Sequence, residues 1–187
     1  MMSKKIAVIV GSIRKDSLNI KMAKVLISLA PESIKPEIIA IDELPVYNPD
    51  LDDEEPIPAS WTTFRKQIKS CQGVLFVTPE YNRSVPGVLK NAIDVGSRPY
   101  GQSVWGGKPG AIISVSPSAI GGFGANQHLR QCMVFLDVPL LQQPEAYIGQ
   151  AANLFNDKGE ITNEDTRKFL RKFIDSYAKW VATNASS

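Results

Sequence analysis

The sequence predicts an α/β domain built on a doubly wound parallel sheet. Three observations carry this. Residues 6–10, 74–77 and 111–115 are apolar runs with almost no polar interruption, the mark of strands covered on both faces. Stripes of helical periodicity separate these runs. A length of 187 residues allows one such domain, spanning 1–187, with a sizeable core.

In chain order, the first strand is predicted at 6–10, followed by a helix whose apolar face holds Leu18, Met22, Val25 and Leu29. Residues 38–41 read as the second strand. The acid-rich stretch 50–55 reads as a solvated segment that also suits a helix start. Trp61, Phe64 and Ile68 mark the next helix, and 74–77 the third strand. Val85, Leu89, Ala92 and Ile93 form a further stripe, with Ser84 as its cap and Pro86 in its first turn. The fourth strand, 111–115, precedes a helix carrying Leu129, Met133 and Leu136. A weaker run at 138–141 contains Pro139, which demotes it to an edge strand. Phe169, Phe173, Tyr177 and Val181 line the last helix. Five strand–helix units with right-handed crossovers give either the order 2-1-3-4-5 or a fragment of a wider dinucleotide-binding sheet. Both place ligands beyond the C-terminal ends of the strands.

Composition excludes several classes. Hydrophobic residues are 43%, charged residues 21% and net charge +2, so overall charge makes no case for nucleic acid or a membrane surface. The basic start at Lys4-Lys5 leads into only five apolar residues. A secretory core needs about 7–15 and a membrane span about 20. A cytoplasmic protein without membrane insertion is expected. Cys71 and Cys132 form no CxxC pair and no metal-ligand spacing, and read as small buried residues. His128 sits inside a helical stretch without neighbouring carboxylates and reads as a packing or partner-facing residue. Neither GxSxG nor HExxH occurs. No side chain stands out as catalytic and no metal is expected, so the chemistry falls to an organic cofactor.

Three loops converge where that cofactor would bind. After the first strand, Gly11-Ser12-Ile13-Arg14-Lys15-Asp16-Ser17-Leu18-Asn19 runs straight into a helix. The helix start offers free N–H groups, Ser12, Ser17 and Asn19 add neutral donors, and Arg14 adds a fork-shaped cation. Both GxxxxGK[ST] and GxGxxG are absent, which favours a terminal monophosphate over a triphosphate or pyrophosphate. After the third strand, Pro79-Glu80-Tyr81-Asn82 is stiffened by proline, Tyr81 gives an aromatic surface, and the loop's backbone groups suit the polar edge of a planar ring. Glu80 has nothing beside it to make it a base and reads as a hydrogen-bonding or surface residue. After the fourth strand, Ser116 leads to Gly121-Gly122, where backbone can approach a ligand closely.

Gly11-Ser12-x-Arg14-x-x-Ser17-x-Asn19, Pro79-Glu80-Tyr81-Asn82 and Pro86-Gly87-Val88-Leu89-Lys90-Asn91-Ala92-Ile93-Asp94 resemble the NADPH-dependent FMN reductase family, whose members include quinone, azo-dye and chromate reductases. Lys108-Pro109 and Gly121-Gly122 are similar too. The resemblance covers nearly the whole chain. It implies a flavodoxin-like sheet of order 2-1-3-4-5 with helices on both faces. It also implies non-covalent FMN, NADPH or NADH as donor, and a homodimer or dimer of dimers. By the same similarity Ser12, Arg14, Ser17, Leu18 and Asn19 hold the FMN phosphate, Pro79, Glu80, Tyr81 and Asn82 flank the isoalloxazine, and Ser116, Gly121 and Gly122 meet its pyrimidine end. The helix start after Gly122 is then expected to stabilise negative charge on the reduced ring. The implied activity is ping-pong hydride transfer to quinones or to other small acceptors such as azo compounds, flavins and chromate. A flavodoxin-type electron carrier or an FMN-binding redox sensor is the alternative. Such carriers are usually strongly acidic, which a chain at +2 is not. The segment 91–100, with Arg98, Pro99, Tyr100 and nearby Trp105, is expected to form a subunit interface.

Overall fold

The computed structural model describes residues 3–54 and 56–185. Glu55, the last acid of the 50–55 stretch, lies outside the described residues, as do Met1 and Met2. Five strands form one parallel sheet in the order β2-β1-β3-β4-β5. They are β1 (Lys4–Val10), β2 (Ile34–Ile38), β3 (Gly73–Thr78), β4 (Gly110–Val115) and β5 (Ala146–Ile148). Helices α1 (Leu18–Leu29) and α6 (Glu164–Asn184) cover one face of the sheet. Helices α3 (Ala59–Lys69), α4 (Gly87–Gly96) and α5 (Phe123–Phe135) cover the other. A short α2 (Asp50–Asp53) precedes α3.

Alternation along the central strands divides the core in two. Ile6, Val8 and Val10 of β1, with Leu75 and Val77 of β3, pack under α1 and α6. Ala7, Ile9, Val74 and Phe76 pack under α3, α4 and α5. Every residue of β3 and β4 is buried, which is why these strands read as unbroken apolar runs. The register Val10↔Val77 and Thr78↔Ser114 brings the ends of β1, β3 and β4 level, so their loops emerge side by side.

Two strands depart from the sequence expectation. The second is Ile34–Ile38 rather than 38–41. It is an edge strand, and its buried side follows a period of two: Ile34 and Pro36 face in while Lys35 and Glu37 face out. Pro36 is tolerated there because an edge strand has a side with no ladder to feed. The apolar run beyond it is the exit of the strand, where Ile39 and Ile41 drop into the α3-side core. The fifth strand is Ala146–Ile148 rather than 138–141. Pro139 has no N–H to donate, and the 138–141 run makes one isolated bridge, Leu140↔Gly110, at the foot of β4. The carbonyl of Pro139 is used instead, accepting from Gly110 N–H and from Trp180 Nε1–H.

Three local expectations also change. Ser84 does not cap α4; Pro86 occupies the N-cap and its carbonyl accepts from Leu89 and Lys90. The acidic segment is not uniformly solvated. Asp52 folds inward, its side chain only 2% exposed, and pairs with Arg65 through two bonds of 2.7 Å. Trp105 is fully buried, donating its indole N–H to Ile93 O, so it belongs to the core and not to a surface. Cys71 is buried as expected, and Cys132 is half-buried. Burial pushes both thiols above their ordinary range, as it disfavours the thiolate.

Candidate functional site

The cleft lies beyond the C-terminal ends of β1, β3 and β4, where the strand order reverses. It has a volume of about 380 Å³. Ser12, Arg14, Ser17, Leu18 and Asn19 line it from the first loop, Pro79, Glu80 and Tyr81 from the second, and Ser116 from the third. Nine of the sequence-predicted residues are thus brought together. Asp16, Val115 and Pro117 also line it. No motif marked them; each follows from adjacency to a predicted residue in a loop or at a strand end.

The first loop is shaped by its own capping. Ser17 is the N-cap of α1, and its Oγ accepts from Ile20 N–H at 3.3 Å. The N–H groups of Leu18 and Asn19 have no acceptor among the described residues. They open the positive end of a 12-residue helix toward the cleft. Arg14 is exposed and makes no ion pair or side-chain hydrogen bond among the described residues. Asn19 is buried at 4% exposure, and its Nδ2 donates to Val115 O. Its Oδ1 is a buried acceptor with no partner in the chain. An atom in that state calls for a donor from a ligand.

The second loop is a tight turn. Tyr81 and Ser84 exchange backbone hydrogen bonds of 3.0 and 2.9 Å, with Asn82 and Arg83 both left-handed at φ 50° and 64°. This places Tyr81 half-exposed on the cleft wall and turns Asn82 away from it; Asn82 does not line the cleft. Ser84 Oγ meets Nδ1 of the exposed His128 at 3.0 Å, consistent with a surface role for that histidine.

Glu80 is a hydrogen-bonding residue, one of the two sequence readings, with partners that sequence reasoning did not find. One carboxylate oxygen accepts from Ala125 N–H at 3.0 Å and the other from Arg83 Nη1 at 2.9 Å. The carboxylate therefore occupies the N-terminus of α5, the helix start expected to face the reduced ring. Its charge already offsets the helix-end potential there. The contact depends on Gly124, where a Cβ would stand 2.9 Å from both Glu80 Oε2 and Arg83 O. Gly121 and Gly122 do not line the cleft either. Both have positive φ, and a Cβ on Gly121 would fall 2.8 Å from the backbone of Tyr147. They fold the third loop back onto the sheet, where Ser114 Oγ–H donates to Gly121 O at 2.7 Å. Removing the carboxylate by Glu80→Ala is expected to cost about 1 kcal/mol of stability through the lost cap. FMN affinity should fall with it. Glu80→Gln keeps an acceptor for Ala125 and should retain most of both. Unfolding curves and flavin titrations that do not separate the two variants would contradict this clamp.

Residues 4–153 match the model of the NADPH-dependent FMN reductase family. The chain belongs to that family. It is 59% identical over 179 residues to a quinone reductase of Pseudomonas putida, covering 96% of this chain and 95% of the relative. It is 52% identical over 180 residues to a 2-hydroxy-1,4-benzoquinone reductase of Burkholderia sp., covering 96% and 97%. Among solved structures, a flavoenzyme NAD(P)H:(acceptor) oxidoreductase from Paracoccus denitrificans superposes with a TM-score of 0.91 at 42% identity, covering 98% of this chain and all of the other. The protein is an FMN-dependent oxidoreductase with NAD(P)H as electron donor. The cleft suits the FMN of this family. A terminal phosphate matches the free N–H groups of α1 and the unpaired Arg14, and a ribityl hydroxyl matches the orphaned Asn19 Oδ1.

Proposed function

We propose that this FMN reductase reduces quinones at the expense of NAD(P)H. Bound FMN supplies the two-electron chemistry between donor and acceptor. The chain's own residues bind and orient it. Ser12, Arg14, Ser17, Leu18 and Asn19 hold the phosphate and ribityl chain, and Pro79, Glu80, Tyr81 and Ser116 border the ring. The observation that carries this is the orphaned, buried Asn19 Oδ1 beside the open N-terminus of α1 in one cleft. The named activities of the 59% and 52% identical relatives support quinones as acceptors. No dinucleotide-binding fingerprint marks a separate nicotinamide site in the sequence. Donor and acceptor therefore use the same site in turn.

Steady-state kinetics of the FMN-loaded protein across quinones, free flavins, azo dyes and chromate test the reading. Quinones should give the highest kcat/KM, with parallel double-reciprocal lines. Intersecting lines would refute the shared site. Failure to oxidise NADPH without a partner protein would indicate an electron carrier instead.

We also propose that the enzyme works in the cytoplasm as a homodimer or dimer of dimers. No described helix is long and apolar enough to cross a membrane. The groove between α4 and α5 leaves Phe135 80% exposed, and the neighbouring Val134 is 81% exposed, more apolar surface than a lone helix pair needs to show solvent. Arg98 lines the same groove and stacks over the exposed Tyr100. Asn91, by contrast, is used internally, its side chain bonded to Tyr47 N–H, Leu44 O and Pro45 O. Sedimentation at micromolar concentration should return a dimer or larger species, and a stable monomer would overturn the assembly.

A further inference from the structure

The outer face of α1 and α6 carries a concentration of charge that the overall balance conceals. Two adjoining grooves, of about 710 and 570 Å³, run along this face and share Leu29 and Arg167. Lys21 and Lys24 reach the first groove from α1, and Lys158 from the neighbouring turn. Arg167, Lys168, Arg171, Lys172 and Lys179 project from α6. Against these eight cations the two grooves hold four acids, Asp157, Glu160, Glu164 and Asp175. The residues lining the two grooves therefore sum to about +4 while the whole chain is +2, so the rest of the molecule is net negative.

These cations are also unpaired. Among the described residues, the four ion pairs lie elsewhere: Lys35–Glu37, Arg65–Asp52, Arg83–Glu80 and Lys90–Asp94. None of the eight makes an ion pair or a side-chain hydrogen bond within the described chain. Glu160, one of the four acids, is held by Asn156 Nδ2.

We propose that this face docks the enzyme on an anionic lipid surface. The inference rests on the quinone reading, because quinones that carry apolar substituents partition into bilayers. The N-terminal end of α1, which enters the cleft through Leu18 and Asn19, lies one turn from Lys21. A headgroup layer lying on the basic face therefore borders the phosphate end of the same cleft. Lipid headgroups are favoured over the other polyanions. No aromatic side chain lines either groove, so there is no platform on which single-stranded bases would stack. Apolar lining is limited to Val25, Leu29 and Ile161, which offers no anchor of the kind that holds a protein partner. Lysine and arginine clusters on an amphipathic helix attract anionic headgroups through the surface potential alone, and need no shape complementarity.

The test is co-sedimentation of the FMN-loaded enzyme with vesicles. Phosphatidylglycerol–phosphatidylcholine vesicles should retain it at about 0.05 M salt and release it at about 0.5 M, where screening shortens the reach of surface charge. Pure phosphatidylcholine should not retain it. Lys168→Glu/Arg171→Glu/Lys172→Glu should weaken retention at least roughly tenfold. Lys66→Glu/Lys69→Glu on α3, at the opposite face of the sheet, should not. Both variants should reduce a water-soluble quinone as the parent does in the absence of vesicles. That measurement separates failure of docking from failure of the quinone reading. Absence of binding to the anionic vesicles at low salt, equal binding to neutral vesicles, or equal binding by the α6 variant would each overturn the proposal. So would preferential binding to a duplex or single-stranded oligonucleotide in competition with the vesicles.

Discussion

Replacing Asp52 by alanine is expected to lower the free energy of unfolding by roughly 3–5 kcal/mol, the usual cost of stranding one partner of a buried ion pair. The geometry leaves Arg65 no substitute. Its Nη1 and Nη2 each donate to Asp52 at 2.7 Å, its Nε donates to Val95 O at 2.9 Å, and its guanidinium lies 5.5 Å from the ring centre of Trp61. The arginine side chain is 10% exposed. It is thus fixed from α2, from α4 and from its own helix, and water cannot easily replace the lost carboxylate. Tyr47 lies against the same carboxylate; burial, then the Asp52 charge, pushes its hydroxyl above the ordinary phenol range. Replacing both partners with apolar residues of similar volume should recover much of the loss, since it is the unpaired charge that is costly. Denaturant unfolding at constant m-value checks both variants. A loss below about 1 kcal/mol for Asp52→Ala would show that the pair behaves as a surface contact.

The largest effect on cofactor binding is expected from Arg14→Ala. A charge-assisted hydrogen bond contributes about 1.5–3 kcal/mol, so FMN affinity should fall by roughly one to two decades. Arg14 is exposed and has no ion pair or side-chain hydrogen bond within the described chain. The apoprotein should therefore unfold at the parental denaturant concentration, which isolates binding from folding. Asn19→Ala differs, because it also removes the Nδ2 bond to Val115 O and should weaken both. Arg14→Lys should restore only part of the affinity, as an ammonium lacks the two-pronged donor geometry. Fluorescence titration of the apoprotein with FMN decides the matter; unchanged affinity in Arg14→Ala would remove the residue from the phosphate site.

What could be foreseen from sequence was what is written locally. β3, β4 and the 6–10 part of β1 are buried on both faces, so each is an apolar run with almost no polar interruption that needs no knowledge of its neighbours. The helices follow from their stripes, and the first cleft loop from a phosphate-type donor set ahead of α1. Misplaced elements lie at the sheet edges. There Pro36 and Pro139 sit inside or beside pairing segments, and a continuous apolar run no longer coincides with the ladder. The site was least legible where two distant segments decide a residue's role. Glu80 meets Ala125 across 45 positions, and Asp52 meets Arg65 across 13. Neither carboxylate carries a local sign that it points inward. Net charge was uninformative for a similar reason: a sum near zero does not record that one pair of helices is basic and the remainder acidic.

The last helix bears on how the protein is made. α6 lies beyond the family match at 4–153, yet it supplies Leu170, Phe173, Ile174, Tyr177 and Val181 to the core shared with α1. Tyr177 also ties down the foot of β4 by donating to Pro109 O at 3.2 Å. α6 follows every strand of the sheet in the chain, so until it leaves the ribosome the face it shares with α1 is only partly covered and sticky, even after the cleft has all of its residues. Stalled or prematurely terminated chains would expose that surface indefinitely, and are the species on which chaperones and proteases would act.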